Sequence, residues 1–207
     1  MRLKIVCAGE PVLRTEARSL AREEIASARI QELIEHMRET LLDAPGVGLA
    51  APQVGLSMQL AVIEDKPEYH AALSPEELLE RERKPVPFHV LVNPQLKLLS
   101  PPEVLFFEGC LSLPGFTAVV PRARNVAVDA LDHQGRPVRI EASGWYARIL
   151  QHEIDHLRGI LYINRMRSHS FSTLENYNRY WKTKSRTELL REFGSHSPEG
   201  LSASECA

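Results

Sequence analysis

Apolar residues recur along the chain with a helical period in some stretches and as short or alternating runs in others. Residues 27–42 carry them at helical spacing, which predicts an N-terminal amphipathic helix. The short runs predict strands, at residues 59–63, 89–92, 104–107, 125–131, 137–141 and 160–163. The turn residues Asp132-His133-Gln134-Gly135 join two of these runs into a hairpin, and Asn93-Pro94 predicts a turn after another.

A second helix is predicted between Ser143, a plausible N-cap, and Gly159, where a glycine would close the last turn. Its apolar residues also fall at helical spacing, namely Trp145, Tyr146, Ile149, Leu150, Ile154 and Leu157. A helix with this many apolar positions is mostly buried. We therefore expect the polar residues within it to need specific partners.

Helices before and after a run of strands predict an α+β fold, a single domain of mostly antiparallel sheets packed around the helix that begins near Ser143. Residues 1–168 would form this domain. The polar stretch 64–87 would be an insertion loop or short helix, since Ser74-Pro75 resembles a helix start. Residues 169–207 would form a basic and aromatic extension with a disordered tail from Ser195.

Composition narrows the class of protein. The 207 residues are 43% hydrophobic and 25% charged, as in an ordinary soluble enzyme. The net charge of -2 predicts neither a DNA nor a membrane partner. No apolar run could span a bilayer, and the N-terminus lacks a secretory signal, so a cytoplasmic protein is expected. Three scattered cysteines exclude a disulfide framework.

The predicted second helix contains Gln151-His152-Glu153-Ile154-Asp155-His156, an HExxH motif. Histidines four residues apart lie on one helical face and can bind one metal ion, with the glutamate beside metal-bound water. The motif alone is also compatible with two hydrogen-bonded core histidines. A catalytic site needs a further protein ligand.

Two residues are candidates for that third ligand, and the residues alone leave the choice open. Cys110 follows a predicted strand, whereas Glu175 lies 19 residues after His156, close to its spacing in thermolysin-like peptidases. Cysteine with two histidines would by itself suggest zinc. These residues leave two functions open, namely a metallopeptidase with Glu175 as ligand and a non-enzymatic metal-binding module.

Three segments together resemble the signature motifs of the peptide deformylases, in the family's order. They are GVGLAAPQVG from Gly46, EGCLSLPG from Glu108 and QHEIDH from Gln151. The resemblance implies a metal-dependent hydrolase that removes the N-formyl group from the N-terminal formylmethionine of new peptides. Residues 1–168 would then be a deformylase-like catalytic domain.

The resemblance also implies a role for each matching residue. Cys110, His152 and His156 would hold one divalent metal, Fe²⁺ by resemblance, with Zn²⁺, Ni²⁺ or Co²⁺ as other options. Water activated by the metal would attack the formyl carbon, with Glu153 as general acid/base. Gln53 and the Leu111 backbone N–H would stabilise the oxyanion. The substrate would contact the residues at the pocket positions, namely Val47, Gly48, Trp145 and Ile149, although Trp145 is equally compatible with a core role.

Three further polar features have structural interpretations. Glu108 could pair with an arginine such as Arg122, and Asp155 points away from the histidine face, so either a hydrogen bond that supports the site or a salt bridge is expected there. Residues 165–191 hold seven Lys/Arg against two acids, with Tyr177, Tyr180 and Trp181 interleaved. This segment either contacts ribosomal RNA through phosphates or packs its aromatics on the domain as a solvated helix.

Overall fold

The computed structural model of the chain describes residues 1–71 and 73–194. The strands in these ranges are β1 (Gly48–Ala50), β2 (Leu60–Asp65), β3 (Val86–Leu98), β4 (Val104–Glu108), β5 (Phe116–Arg122), β6 (Asn125–Leu131), β7 (Pro137–Ser143) and β8 (Ser172–Thr173). The α-helices are α1 (Arg22–Ile25), α2 (Ala28–Asp43), α3 (Pro75–Glu80), α4 (Gly144–Leu157), α5 (Leu174–Asn176) and α6 (Arg186–Phe193). Within the described residues, no helix has the length and apolar character needed to cross a membrane.

The strands form two antiparallel sheets. One has the order β1-β2-β3-β6-β7 and the other β4-β5-β8. Together with the helices they make an α+β fold with antiparallel sheets, as the sequence predicts. Both β6 and β7 lie where the alternating pattern places the hairpin, with Leu131 paired to Pro137 across the turn.

Helix α2 begins after Ser27, whose side chain accepts a hydrogen bond from the Ile30 backbone N–H. Its apolar face is buried against β1, β2 and β3 of the larger sheet in one core cluster. The buried residues of this face are Ile30, Ile34, Met37 and Leu41. The helical period in the sequence therefore becomes a packed face, which is where most of such a helix's stability arises.

Helix α4 contacts β1, β2, β3, β6 and β7 and is buried along most of its length. It ends at Leu157, and Gly159 follows with φ +71. A side chain at Gly159 would meet the backbone of Arg14, 2.7 Å from its carbonyl carbon. Glycine is therefore required there both for the left-handed conformation and for the close approach of the N-terminal segment.

Two predictions of local structure are wrong. Asn93-Pro94 lies inside β3 rather than in a turn, at an irregularity in its pairing with β6. Asn93 has φ +50, and its side chain donates to the Leu20 carbonyl and accepts from the Leu20 N–H at 2.8 and 2.9 Å. The strand bends at a bulge instead of ending, because a distant segment satisfies the asparagine.

The predicted strand at residues 160–163 is also absent from this part of the described chain. A 3₁₀ helix, Tyr162–Asn164, takes its place. The Asn164 side chain accepts from the Leu161 N–H at 3.1 Å, so a local turn satisfies a backbone group that a strand would have paired. The apolar character of this run reflects the burial of Leu161 and Tyr162. Burial occurs in helical segments as well as in strands, so an apolar run does not distinguish the two.

The segment after residue 168 packs on the smaller sheet. Strand β8 pairs with β5, and α6 buries Leu189 and Phe193 against Leu105 and Val119. Trp181 packs on the same cluster, and Phe107 contacts Tyr177, Trp181 and Phe193 through ring contacts. Tyr177 and Trp181 of the basic segment therefore pack on the domain, whereas Tyr180 is 51% exposed. The domain division at residue 168 stays a prediction, and the predicted disordered tail from Ser195 lies outside the described residues.

Candidate metal centre and active site

Helix α4 places His152 and His156 one turn apart on the same face. Their Nε2 atoms are 3.2 Å apart. Two ring nitrogens that face each other at this distance need a proton or a cation between them, because their lone pairs otherwise repel. Burial holds the pKa of His156 well below its usual range, with a further lowering from His152. A neutral His156 is the form that binds a metal.

The turn that follows β4 brings Cys110 to the two histidines. Its Sγ is 3.3 Å from Nε2 of His156, and the ligand atoms of the three residues all lie within 4.8 Å of one another. Tetrahedral zinc sites, with bonds of about 2.0 Å to nitrogen and 2.3 Å to sulfur, separate ligand atoms by about 3.3–3.6 Å. The residues therefore fit a divalent metal in both donor type and spacing.

Glu108 orients His152. Its Oε2 lies 3.1 Å from Nδ1 of His152, so the carboxylate accepts the Nδ1 proton and leaves the Nε2 lone pair facing Cys110 and His156. Burial alone would raise the pKa of Glu108, but Arg122, His152 and Arg148 hold it well below its usual range. The predicted ion pair with Arg122 is confirmed, with two hydrogen bonds of 2.9 Å.

Sequence reasoning missed Arg148, which lies one helical turn before His152. It is 3% exposed, and its Nη1 donates to Oε1 of Glu108 at 2.6 Å. It also donates to the backbone carbonyls of Val120 and Val104 at 3.0 and 2.6 Å. The i, i+4 spacing to His152 is the signal that could have revealed it. Burial lowers the pKa of Arg148 to about 10.

Asp155 extends the same network on the opposite side of Arg122. It accepts from Arg122 at 2.5 Å and from Arg165 at 2.6 and 2.7 Å. The predicted salt bridge of Asp155 is therefore confirmed. The network joins α4, β5 and the segment after α4, and so fixes the helix that carries both histidines.

Gln53 lies beside the metal site and is 1% exposed. Its Oε1 accepts from the Ala50 N–H at 2.9 Å, which fixes the amide. Its Nε2 points the other way, 3.5 Å from Sγ of Cys110 and 3.4 Å from Oγ of Ser112. One amide therefore caps a loop and presents N–H donors to the site. Leu111, the residue after Cys110, packs its side chain against Gly46.

The Glu153 side chain lies against Gly48, within the buried part of α4. It is 4% exposed, and its Oε2 has no hydrogen-bond partner among the described residues. Burial raises the pKa of Glu153 to about 7. A buried carboxylate oxygen without a partner, beside a metal-type ligand set, is available to exchange a proton with water or substrate.

The predicted pocket residues Val47, Trp145 and Ile149 belong to one apolar cluster between α4 and the larger sheet. Ile149 is buried, whereas Val47 and Trp145 are half-buried. Arg81 and Arg83 place their guanidinium carbons 5.1 and 5.4 Å from the Trp145 ring centre. The residue 64–87 segment therefore packs on Trp145.

Glu175 is exposed in α5 and does not belong to the ligand group found among the described residues. The model of the polypeptide deformylase family matches residues 2–171. The chain belongs to the polypeptide deformylase family. Membership excludes the thermolysin-type alternative, in which Glu175 would be the third ligand.

Curated deformylases are similar over most of the chain. Peptide deformylase 1A, chloroplastic, of Solanum lycopersicum is 48% identical over 83% of this chain, which spans 62% of that protein's length. The Arabidopsis thaliana peptide deformylase 1A is 48% identical, and the chain spans 64% of it. Peptide deformylase 3 of Streptomyces avermitilis is 43% identical over 95% of this chain and 86% of its own.

Solved deformylases share the fold. The class I type b peptide deformylase of Acinetobacter baumannii with bound Met-Ala-Ser has a TM-score of 0.70 and 34% identity, over 80% of this chain and 99% of its own. The Synechococcus elongatus deformylase in complex with actinonin has a TM-score of 0.66 and 35% identity, over 93% and 86%. The chain therefore shares both sequence and architecture with its family.

Proposed function

We propose that this chain is a peptide deformylase that hydrolyses the N-formyl group of formylmethionyl peptides, releasing formate and a free amino terminus. The convergence of Cys110, His152 and His156 within 4.8 Å carries the proposal, since the family is metal-dependent. The binding of Met-Ala-Ser by the A. baumannii relative supports a ligand that begins with methionine. The non-enzymatic alternative does not account for the buried Glu153 or for the donors of Gln53.

Cys110, His152 and His156 would hold one divalent metal, which we propose is Fe²⁺, with Zn²⁺, Ni²⁺ and Co²⁺ as substitutes. When bound, the metal supplies Lewis acidity that lowers the pKa of a water ligand and polarises the formyl carbonyl. The Nδ1–H of His152 would stay hydrogen-bonded to the Glu108 carboxylate during the reaction, because Arg122 and Arg148 keep that carboxylate charged. The protein thereby keeps the ligand geometry fixed.

Glu153 would act as the general base and then as the general acid. Its free Oε2 takes a proton from the attacking water and returns it to the leaving nitrogen as the C–N bond breaks. The negative charge on the former formyl oxygen would be stabilised by Nε2 of Gln53 and the Leu111 backbone N–H. Removing one such donor typically costs about 10²–10³ in rate.

The substrate would lie along Val47 and Gly48, with the methionine side chain among Val47, Trp145 and Ile149. These three residues share an apolar cluster in which Ile149 is buried and Val47 and Trp145 are half-buried, which supports an apolar side chain as the ligand. Trp145 also contacts three arginines, Arg81, Arg83 and Arg148, so it would have both a packing role and a pocket position.

Formate release from formyl-Met-Ala-Ser by anaerobically iron-loaded protein tests the proposal. Cys110→Ala should abolish both turnover and metal retention, whereas Glu153→Ala should abolish turnover and keep the metal. Cys7→Ala is a matched control, since Cys7 is exposed and lies outside the ligand group. Folded, metal-loaded protein that releases no formate would exclude the activity.

Ribosome contact through residues 165–191 remains a separate proposal. The exposed residues Arg179, Lys182 and Arg191 carry its positive charge, while Trp181 packs on the domain. Co-sedimentation with ribosomes should weaken steeply with salt and with charge reversal at these three positions. Binding that ignores salt would exclude it. The cytoplasmic location also stays a prediction, since the tomato and Arabidopsis relatives carry organellar names.

A further inference from the structure

Three exposed apolar side chains form one surface patch on the smaller sheet. Phe116, Phe171 and Leu174 are 39%, 43% and 45% exposed. The two phenylalanine rings stack with centres 5.1 Å apart and planes within 8°. The backbone of Leu174 lies beside them, since its N–H bonds to the Gly115 carbonyl at 2.9 Å. We call these three residues the aromatic platform. Single exposed apolar residues need no explanation, whereas neighbouring ones that stack in solvent offer a contact surface.

The platform is continuous with the candidate metal centre through the hairpin of β4 and β5. Glu108 pairs with Ala118 at the last register position, and the chain then passes through Gly109 and Cys110 before it returns at Phe116. A Cβ on Gly109 would lie 3.7 Å from the Phe116 carbonyl oxygen. Phe116 is therefore next to the residue that precedes a predicted metal ligand.

The side-chain alternation of β5 places the platform on the side of the sheet that faces Cys110. Residues 116, 118 and 120 share a face, because successive strand residues point to opposite sides. Ala118 and Val120 belong to the buried cluster against which Cys110 packs. Phe116 continues that face outward into solvent, where Phe171 stacks on it.

We propose that the aromatic platform binds an apolar side chain of the substrate peptide downstream of its N-terminal methionine. The inference rests on the proposed function, since it places the formyl group at the metal centre. An extended peptide advances about 3.3 Å per residue, so its second and third residues lie about 3 and 7 Å beyond the first. Phe116 lies beside Gly109, which precedes Cys110, and the platform's rings offer stacking and apolar contact without charge.

The test compares formyl-Met-Ala-Ser with peptides that carry Phe at the second or third position, in wild-type and Phe171→Ala protein. For the wild type, kcat/KM should be about 3–10-fold higher for the peptide with Phe at one of these positions than for formyl-Met-Ala-Ser, because KM is lower. Phe171→Ala should bring this ratio close to one, and Phe171→Tyr should restore it. Leu79→Ala is the matched control, because Leu79 is 79% exposed on α3, and the ratio should stay at the wild-type value.

The outcomes separate this inference from the function on which it rests. Wild-type protein that releases no formate from formyl-Met-Ala-Ser refutes the proposed function itself. Turnover with no Phe preference at either position, or with a preference that Phe171→Ala leaves intact, overturns the platform alone. Sedimentation velocity supplies a second readout. Self-association that Phe171→Ala abolishes, with the Phe preference unchanged, would assign the platform to a second copy of the chain and overturn the proposal.

Discussion

The carboxylate of Glu153 lies directly against the Cα atom of Gly48. A Cβ at residue 48 would be 2.7 Å from Cγ of Glu153 and would overlap the carboxylate. The glycine of the first motif therefore makes room for the proposed acid/base, in addition to any contact with substrate. Gly48 in β1 and Glu153 in α4 are 105 residues apart in the chain. They can lie in contact because residue 48 carries a hydrogen atom in place of a methyl group.

We expect Gly48→Ala to lower kcat strongly while the protein keeps its metal. The added methyl group would push the Glu153 side chain from its position, and general acid–base catalysis typically contributes about 10²–10⁴ in rate. Steady-state kinetics on a formyl-Met peptide, with metal content measured on the same sample, checks this. Gly109→Ala is a matched control, since its added methyl would make only an ordinary contact at 3.7 Å. Equal losses in both variants would contradict the assignment.

Arg148→Met should destabilise the fold by about 3 kcal/mol, as expected when one partner of a buried ion pair is removed. Glu108 would lose one of its two arginines, and the Val104 carbonyl would lose a donor. Arg165→Met should cost about 1 kcal/mol or less, because the Arg165 side chain is 41% exposed and water can replace it. Urea unfolding of both metal-free variants measures the difference. Similar losses would refute the special role of Arg148.

Asp65→Asn should loosen the residue 64–87 segment. Asp65 is fully buried, accepts two hydrogen bonds of 2.8 Å from Arg83, and lies 3.2 Å from His70, so it joins the two ends of the segment. Hydrogen bonds to charged groups contribute about 1.5–3 kcal/mol, which predicts at least tenfold faster amide exchange in α3. Lys66→Gln is the control, since its ion pair with Glu64 is 3.9 Å long. Unchanged exchange in Asp65→Asn would show that other contacts hold the segment.

Glu175→Gln should keep a full equivalent of metal, because Glu175 is exposed and apart from the ligand group. Removal of the metal by a chelator should lower the melting temperature of both wild type and Glu175→Gln. A metal that binds only the folded state stabilises it by about 2.7 kcal/mol when the free metal concentration is one hundred times Kd. Metal analysis and thermal unfolding check both points. Loss of metal from Glu175→Gln would reopen the choice of third ligand.

Local features were predictable from the sequence wherever the determining interactions are local. The periods of the α2 and α4 regions and the hairpin turn between β6 and β7 involve neighbours a few residues apart, and the structure has these elements at nearly the expected bounds. Asn93-Pro94 was predicted incorrectly because the residue that satisfies Asn93 is Leu20, 73 residues earlier. A short window cannot contain that partner.

The sequence by itself determined the family and predicted the donor set. HExxH on a helix places His152 and His156 together through the helical period alone, and the three motifs specify the rest of the set. Only the tertiary structure decided which distant groups support these donors. Arg148 reaches Glu108 across 40 residues, and Gly48 meets Glu153 across 105. It also brought Phe116 and Phe171 together at the surface. Such contacts depend on how sheets and helices pack in space, and no local pattern encodes that packing.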